Sequence, residues 1–306
     1  MEHFPAIEGI RLASVPPLAA NLGSMDAAIT GVSWIRCSRA AHLTFCDRQA
    51  LLDEVRLAPG ALVLVPHEMV AYASRAFPDA RLLPVDDPRA VFIDAVGYLQ
   101  REGWLGSSSL LPAAPSISRD ASIGAGAHVE PGARIDEGVR VGDGAIVKAG
   151  VWLRRGVSVG ENCVIGSIGI NAYLGRDGVR RGFPHLGAVI VGEGSSFGAG
   201  CVVVRGILSS TRVGEKCIVG NLCNIGHGAE IAENAWISVG TMIGGHARIG
   251  SGASIAMGCR IRDNIAIGEG ASVGMGSVVL KDVEKASSVF GNPARSFPGI
   301  AAGPVR

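Results

Sequence analysis

Between residues 117 and 279 the chain places an apolar side chain at every sixth position. The series runs through Ile117, Ile123, Val129, Ile135, Val141, Val147, Leu153, Val159 and Ile165, then stops. It resumes at Val191, Phe197 and Val203, slips by four residues, and continues from Val213 through Val219, Ile225, Ile231, Ile237, Ile243, Ile249, Ile255, Ile261, Ile267 and Val273 to Val279. A period of six is neither the 3.6 of an amphipathic helix nor the alternation of a lone strand. It predicts a short strand and a corner, repeated three times per triangular coil, with each apolar residue buried against the coils above and below. The 24 hexads thus predict about eight parallel coils. The residue after the apolar one is glycine in 13 of them, as expected where a corner makes a Cβ costly.

Residues 1–108 lack the hexad and mix short apolar runs, such as Ala61 to Val65, with helical spacing. Asp87 to Leu105 predicts a helix, with Val91, Phe92, Ala95, Val96 and Leu99 along one face. A small α+β domain is expected here, followed by a linker over Gly106 to Ser118 that is rich in Ser, Pro and Ala. The repeat domain is expected over 109–283, interrupted by a loop over 166–190. Residues 284–306, with Pro293 and Pro298, are expected to form an irregular tail.

Composition excludes several classes. Net charge is +1 across 306 residues and only four basic residues are lysines, so no charge run suggests nucleic acid or an anionic membrane. Met1 to Gly9 carries Glu2 and Glu8 without an apolar run, and no window approaches the ~18 apolar residues of a membrane span. A soluble, cytoplasmic protein is expected. Cys163, Cys201, Cys217, Cys223 and Cys259 each lie four places after a repeat residue, where other hexads carry alanine. With no CxxC spacing, they read as small buried hydrophobes, with no metal implied.

Chemistry is expected where the repeat breaks. The interruption carries Asn171, Tyr173, Arg176, Asp177, Arg180, Arg181 and the run Phe183-Pro184-His185-Leu186-Gly187, and a loop of this length inside a compact repeat is usually functional. His227, in Asn224-Ile225-Gly226-His227-Gly228, falls two places after a repeat residue, at a corner flanked by glycines. A histidine near neutrality suits a general base. His246 lies at a different phase of its hexad.

Thr211-Arg212-Val213-Gly214 and Ile218 through His227, the loop from Gly166-Ser167 to Pro184-His185-Leu186-Gly187, and the N-terminal runs Ile29 to Val32 and His42 to Phe45 resemble the UDP-3-O-acylglucosamine N-acyltransferases of lipid A biosynthesis. The resemblance implies that the fold is mainly β, a left-handed parallel β-helix behind a nucleotide-binding domain, assembled as a homotrimer. It implies an acyl group moved from a thioester to the amine of a nucleotide-linked amino sugar, with His227 as base. Substrate contacts are expected from Phe45, Tyr173, Arg181, His185, Asn221 and Asn224, with Phe45 stacking on the base. The oxyanion donor is expected near Gly244 or Gly245. The rate is expected to fall at low pH, with a midpoint near or above about 6.5.

The sequence also departs from that family. Positions that hold uracil there are Arg48 and Leu51 here, a second histidine is Asn264, an acidic residue is Gly220, and acyl-channel methionines are Val278 and Leu280. Gly291-Asn292-Pro293-Ala294-Arg295 resembles the tail of sugar acetyltransferases that use coenzyme A. The donor site is therefore expected to involve Gly245, Val278, Leu280, Lys281, Pro293 and Arg295, with Lys285 a further cation. Acetyl-CoA is expected as cosubstrate ahead of an acyl carrier protein, and no cofactor is expected to be permanently bound. The alternatives are the carrier-protein-dependent lipid A activity and a non-catalytic β-helix serving as scaffold or carbohydrate-binding module.

Overall fold

The structure is a computed structural model that describes residues 9–22, 25, 27–105 and 114–296. The N-terminal start with Glu2 and Glu8, most of the expected linker, and Pro298 lie outside these residues. The chain divides into two compact units, one comprising Met1–Leu110 with Ile170–Leu186, the other Leu111–Gly169 with Gly187–Arg306.

In the second unit each hexad becomes a strand of two to four residues followed by a corner. The strands stack into three parallel sheets. The first face runs from Ser116–Ile117 to Ala266–Ile267, the second from Ser122–Ile123 to Ser272–Val273, and the third from His128–Val129 to Val278–Val279, each with eight strands. This is the parallel β-helix expected from the repeat, with the left-handed winding that the resemblance implied. Repeat residues sit directly over one another, for instance Ile225 over Ile243 over Ile261, and form one continuous core. Each such burial contributes about 1.5–3 kcal/mol. The five cysteines are buried in this core. They also act as weak donors, because Cys163, Cys201 and Cys223 point their thiols at the carbonyls of Gly198, Gly220 and Ser238 at 3.0–3.1 Å. Thr241, next in the same column, donates its hydroxyl to Ala256 in the same way.

Three boundaries differ from expectation. Ser116–Ile117 already pairs with Arg134–Ile135, so the linker ends before Ser118. The repeat restarts at Val189–Val191, so the interruption is shorter than 166–190, and its central part, Ile170–Leu186, belongs with the N-terminal unit instead of the helix. The described part of the tail is regular: Val283 bridges to Ile267, Ser288–Phe290 extends the second sheet, and Arg295–Ser296 returns antiparallel to it. Val283 and Val289 keep the six-residue spacing, which supplies the apolar contacts an irregular tail would lack.

In the first unit Gly31–Val32, His42–Phe45, Leu62–Val65 and Arg81–Pro84 form a sheet in sequential order with every pairing parallel. Helices at Gln49–Glu54 and Val70–Ala76 make the crossovers. The expected α+β mixture is therefore, in its sheet, an α/β arrangement, because short parallel strands need helical connections. The expected helix spans Pro88–Arg101 with Asp87 as its N-cap, stopping short of Leu105. Its buried face carries Phe92, Ala95, Val96 and Leu99.

Candidate active site

The third corner of the β-helix, where the chain leaves the third face, collects the irregular features. Both roots of the interruption, Gly166–Gly169 and Gly187–Ala188, lie there, and so does the four-residue slip before Thr211. Arg205 ties these breaks together: its Nε donates to the Gly187 carbonyl at 3.0 Å and its terminal nitrogen to that of Ala149 at 2.5 Å. Thr211 donates its hydroxyl to the Val204 carbonyl and accepts the Gly228 N–H at 2.8 Å. His227 is in the turn directly below.

His246 and Asp263 follow at the same corner in the next two coils. The histidine rings stand at 76° with centroids 5.0 Å apart. His246 was expected at another phase; one residue of offset still leaves it in the turn, since each turn spans two residues. A Cβ on Gly245 would lie 2.5 Å from the His227 ring, and one on Gly228 would lie 2.6 Å from the His246 ring, so each imidazole occupies space that only glycine in the other's coil leaves open. Burial lowers the pKa of His227, partly offset by the charge of Asp263. Burial likewise lowers His246, with His227 lowering it further and Asp263 opposing. Both imidazoles therefore favour the neutral form that a base requires.

The expected oxyanion donors are corrected. The Gly245 N–H donates to Asp263 Oδ1 at 2.7 Å and the Gly244 N–H to the Ile261 carbonyl at 2.9 Å, so both are engaged in holding the turn. Leu280 and Lys281 lie exposed at the same corner below Asp263. Asn224 and Val278 face outward on the third sheet, where Asn224 sits beside Val202 and Met242. The tail closes over Val278, whose N–H donates to the Gly291 carbonyl and whose carbonyl accepts the Ala294 N–H. Pro293 and Arg295 are exposed beyond it. Asn221 is elsewhere: it lies at the second corner, where its Oδ1 accepts the Ala199 N–H at 3.0 Å, a turn-stacking role. Lys285 is paired with Glu269 at 2.8 Å.

In the first unit the expected stacking platform is also corrected. Phe45 is 8% exposed, packed against Phe92 at 5.0 Å and Trp34 at 6.3 Å. The Arg89 guanidinium lies 5.6 Å from its centroid and 5.0 Å from that of half-buried Tyr173. Phe45 is a core side chain because its strand faces the Pro88–Arg101 helix, and the accessible flat surface is Arg89 with Tyr173.

The interruption folds as a hairpin, Ala172–Leu174 with Arg180–Gly182, clamped to that helix by two carboxylates. Asp87 accepts from Ala90 N–H at 3.0 Å, Arg176 N–H at 2.9 Å and the Tyr173 hydroxyl at 3.1 Å. Arg181 reaches Asp94 at 2.8 Å and Asp177 at 2.7 Å. His185 is buried, its Nδ1–H donating to the Phe183 carbonyl at 3.0 Å, which makes its role in the hairpin structural.

Burial raises the Asp87 carboxyl, but the hydrogen bonds from Arg176, Ala90 and Tyr173 outweigh it, so its pKa lies below the ordinary value. Arg181 holds Asp177 down to about 2. A carboxylate depressed by folding stabilises fully above its unfolded pKa of about 3.9 and loses that contribution as pH falls through the folded value. Hydrogen exchange in the hairpin is expected to accelerate between about pH 4 and pH 2. Exchange that stays constant over that range would show that the clamp does not hold the hairpin.

The family described as a hexapeptide repeat of succinyl-transferase matches residues 116–155 and 188–222, the stretches on either side of the interruption. The match covers about a quarter of the chain, and there the chain is similar to that family. Two curated relatives resemble the chain in part. The UDP-3-O-acylglucosamine N-acyltransferase of Maricaulis maris is 43% identical over 53 residues, 17% of this chain and 15% of the relative. That of Shewanella denitrificans is 36% identical over 95 residues, 28% of this chain and 27% of the relative. The matched segments thus span well under a third of these relatives. Among solved structures, LpxA of Acinetobacter baumannii superposes with a TM-score of 0.54 at 17% identity, covering 61% of this chain and 70% of that one. The UDP-N-acetylglucosamine acyltransferase of Campylobacter jejuni gives 0.51 at 18% identity, covering 60% and 72%. At such identities the likeness is one of fold.

Proposed function

We propose that the protein is an N-acyltransferase that moves an acyl group from a coenzyme A thioester, acetyl-CoA in the first instance, to the amine of a nucleotide-linked amino sugar. The observation that carries this reading is the placement of His227: a half-buried imidazole, kept neutral by burial, at the one corner where both interruptions of the repeat fall. His227 accepts a proton as the amine nitrogen attacks the thioester carbonyl. The tetrahedral adduct then collapses with cleavage of the C–S bond, and the imidazolium returns its proton to the departing thiolate. Assembly as a homotrimer, with donor and acceptor meeting along the third corner, belongs to the same proposal.

The tail lying over Val278, with Lys281 and Arg295 exposed nearby, supports a coenzyme A donor, since guanidinium and ammonium groups suit its phosphates. The partial identity to UDP-3-O-acylglucosamine N-acyltransferases favours the second reading, a carrier-protein-dependent lipid A enzyme. Turnover with acetyl-CoA against 3-hydroxyacyl carrier protein, on UDP-, dTDP- and GDP-linked amino sugars, separates the two. Preference for the carrier protein would overturn the coenzyme A donor, and no turnover with any pair would leave a binding scaffold.

Gly245→Ala offers an independent check on the site. Its new Cβ would lie 2.5 Å from the His227 ring and displace it. Because a misplacement of about 1 Å costs about 10²-fold, kcat is expected to fall by that order with thermal stability largely kept. An unimpaired variant would remove His227 from the chemistry.

A further inference from the structure

We propose that His246 and Asp263 are positioning residues for His227, forming with it a stacked unit down three successive coils that sets the angle of the base and supports the imidazolium it becomes. The proposal rests on the reading of His227 as the base.

Three observations carry it. First, the two rings are interlocked: His227 lies over Gly245, His246 lies under Gly228, and the His246 backbone N–H donates to the His227 carbonyl at 2.8 Å. Neither imidazole can turn far without meeting the other's coil. Second, the rings meet edge to face, at 76° and 5.0 Å, so the face of one ring presents π-density to the edge of the other. In that geometry the neutral His246 ring takes the place of water against His227, and as an imidazolium it would repel the charge that His227 acquires. Third, Asp263 accepts the Gly245 N–H at 2.7 Å and lies against Gly244, where a Cβ would be 2.4 Å from the same oxygen. That contact fixes the turn carrying His246 and brings one negative charge close to both rings.

Asp263 acts on both imidazoles, raising each, and His227 acts on His246, lowering it. The chemistry follows from this balance. When His227 takes the amine proton, the carboxylate offsets the new charge and His246 stays neutral, its protonation being opposed by both burial and His227. Without Asp263 the base would be weaker; without His246 it would be better hydrated and less fixed in angle.

The two variants therefore move the base in opposite directions, which a merely structural role would not do. Asp263→Asn keeps an oxygen for the Gly245 N–H and removes the charge. His246→Asn keeps the left-handed backbone, φ +56° at His246, that Asn264 adopts at the equivalent place in the next coil with φ +63°. The experiment is an NMR titration of the His227 imidazole in the wild-type protein and both variants, alongside kcat, KM and their pH profiles. In Asp263→Asn the His227 midpoint and the acid limb of kcat are expected to move to lower pH; in His246→Asn both are expected to move higher. In each variant kcat is expected to fall about tenfold with the acceptor KM within about twofold. Midpoints that do not move, or that move in the same direction in both variants, with turnover intact, overturn the proposal. Opposed midpoints in a wild-type protein that transfers no acyl group overturn the reading of His227 as an acyl-transfer base, leaving the coupling of the rings in place.

Discussion

Replacement of His227 by alanine is expected to lower kcat by about 10²–10⁴-fold, the usual contribution of a positioned general base. Acceptor binding should change little, because the loss falls on a proton transfer made only in the transition state. Thermal stability should also be retained, since the ring lies in a turn outside the stacked core and its removal leaves the columns of Ile225, Ile243 and Ile261 intact. The wild-type rate should fall in acid as His227 gains a proton. Burial is the larger influence and favours the neutral ring, so the midpoint is expected below the ordinary histidine value, not near or above it as the sequence suggested. Single-turnover rates from pH 5 to 8 in both proteins make the comparison. A wild-type profile that His227→Ala reproduces would dismiss the base.

Asp87→Ala is expected to release the hairpin formed by the interruption. The substitution removes the N-cap of the Pro88–Arg101 helix, worth about 1 kcal/mol. It also strips the acceptor from Arg176 N–H and the Tyr173 hydroxyl, and each donor left unsatisfied costs about 1–3 kcal/mol. A total of at least about 3 kcal/mol corresponds to hydrogen exchange faster by roughly 100-fold or more in Ala172–Leu174 and Arg180–Gly182. Asp87→Asn should lie between, since its amide oxygen can still accept from Ala90 while one acceptor is lost. If the hairpin amides exchange equally in wild type and Asp87→Ala, the Arg181 ion pairs with Asp94 and Asp177 alone hold it.

Some of the site was open to reading along the chain and some was not. His227 was legible because one corner histidine between glycines stands out against a period of six. Asp263 was not singled out, although it lies two coils of 18 residues below His227 and Gly245 one coil below, so sorting the polar residues by that register would have found it. Asn221 sits only six residues from His227, yet six residues is one face of the triangle and carries it to a different corner. Phe45 and His185 matched a family pattern by position, but a match in position says nothing of which side of a strand or hairpin faces the core. The burial of Phe45 depends on Phe92 and Trp34, residues outside its own strand.

By itself the sequence determined the β-helix, its coil number, its core and the inward thiols. A strict short period leaves one way to bury every apolar side chain, and each coil contacts only its neighbours, so local register is global structure. Only the tertiary structure decided which breaks and polar residues share a corner, which backbone amides are already taken, and that the interruption packs with the N-terminal unit. Those outcomes depend on contacts such as Asp87 with Arg176 and Asp94 with Arg181, made between segments more than 80 residues apart, for which a one-dimensional pattern carries no signal.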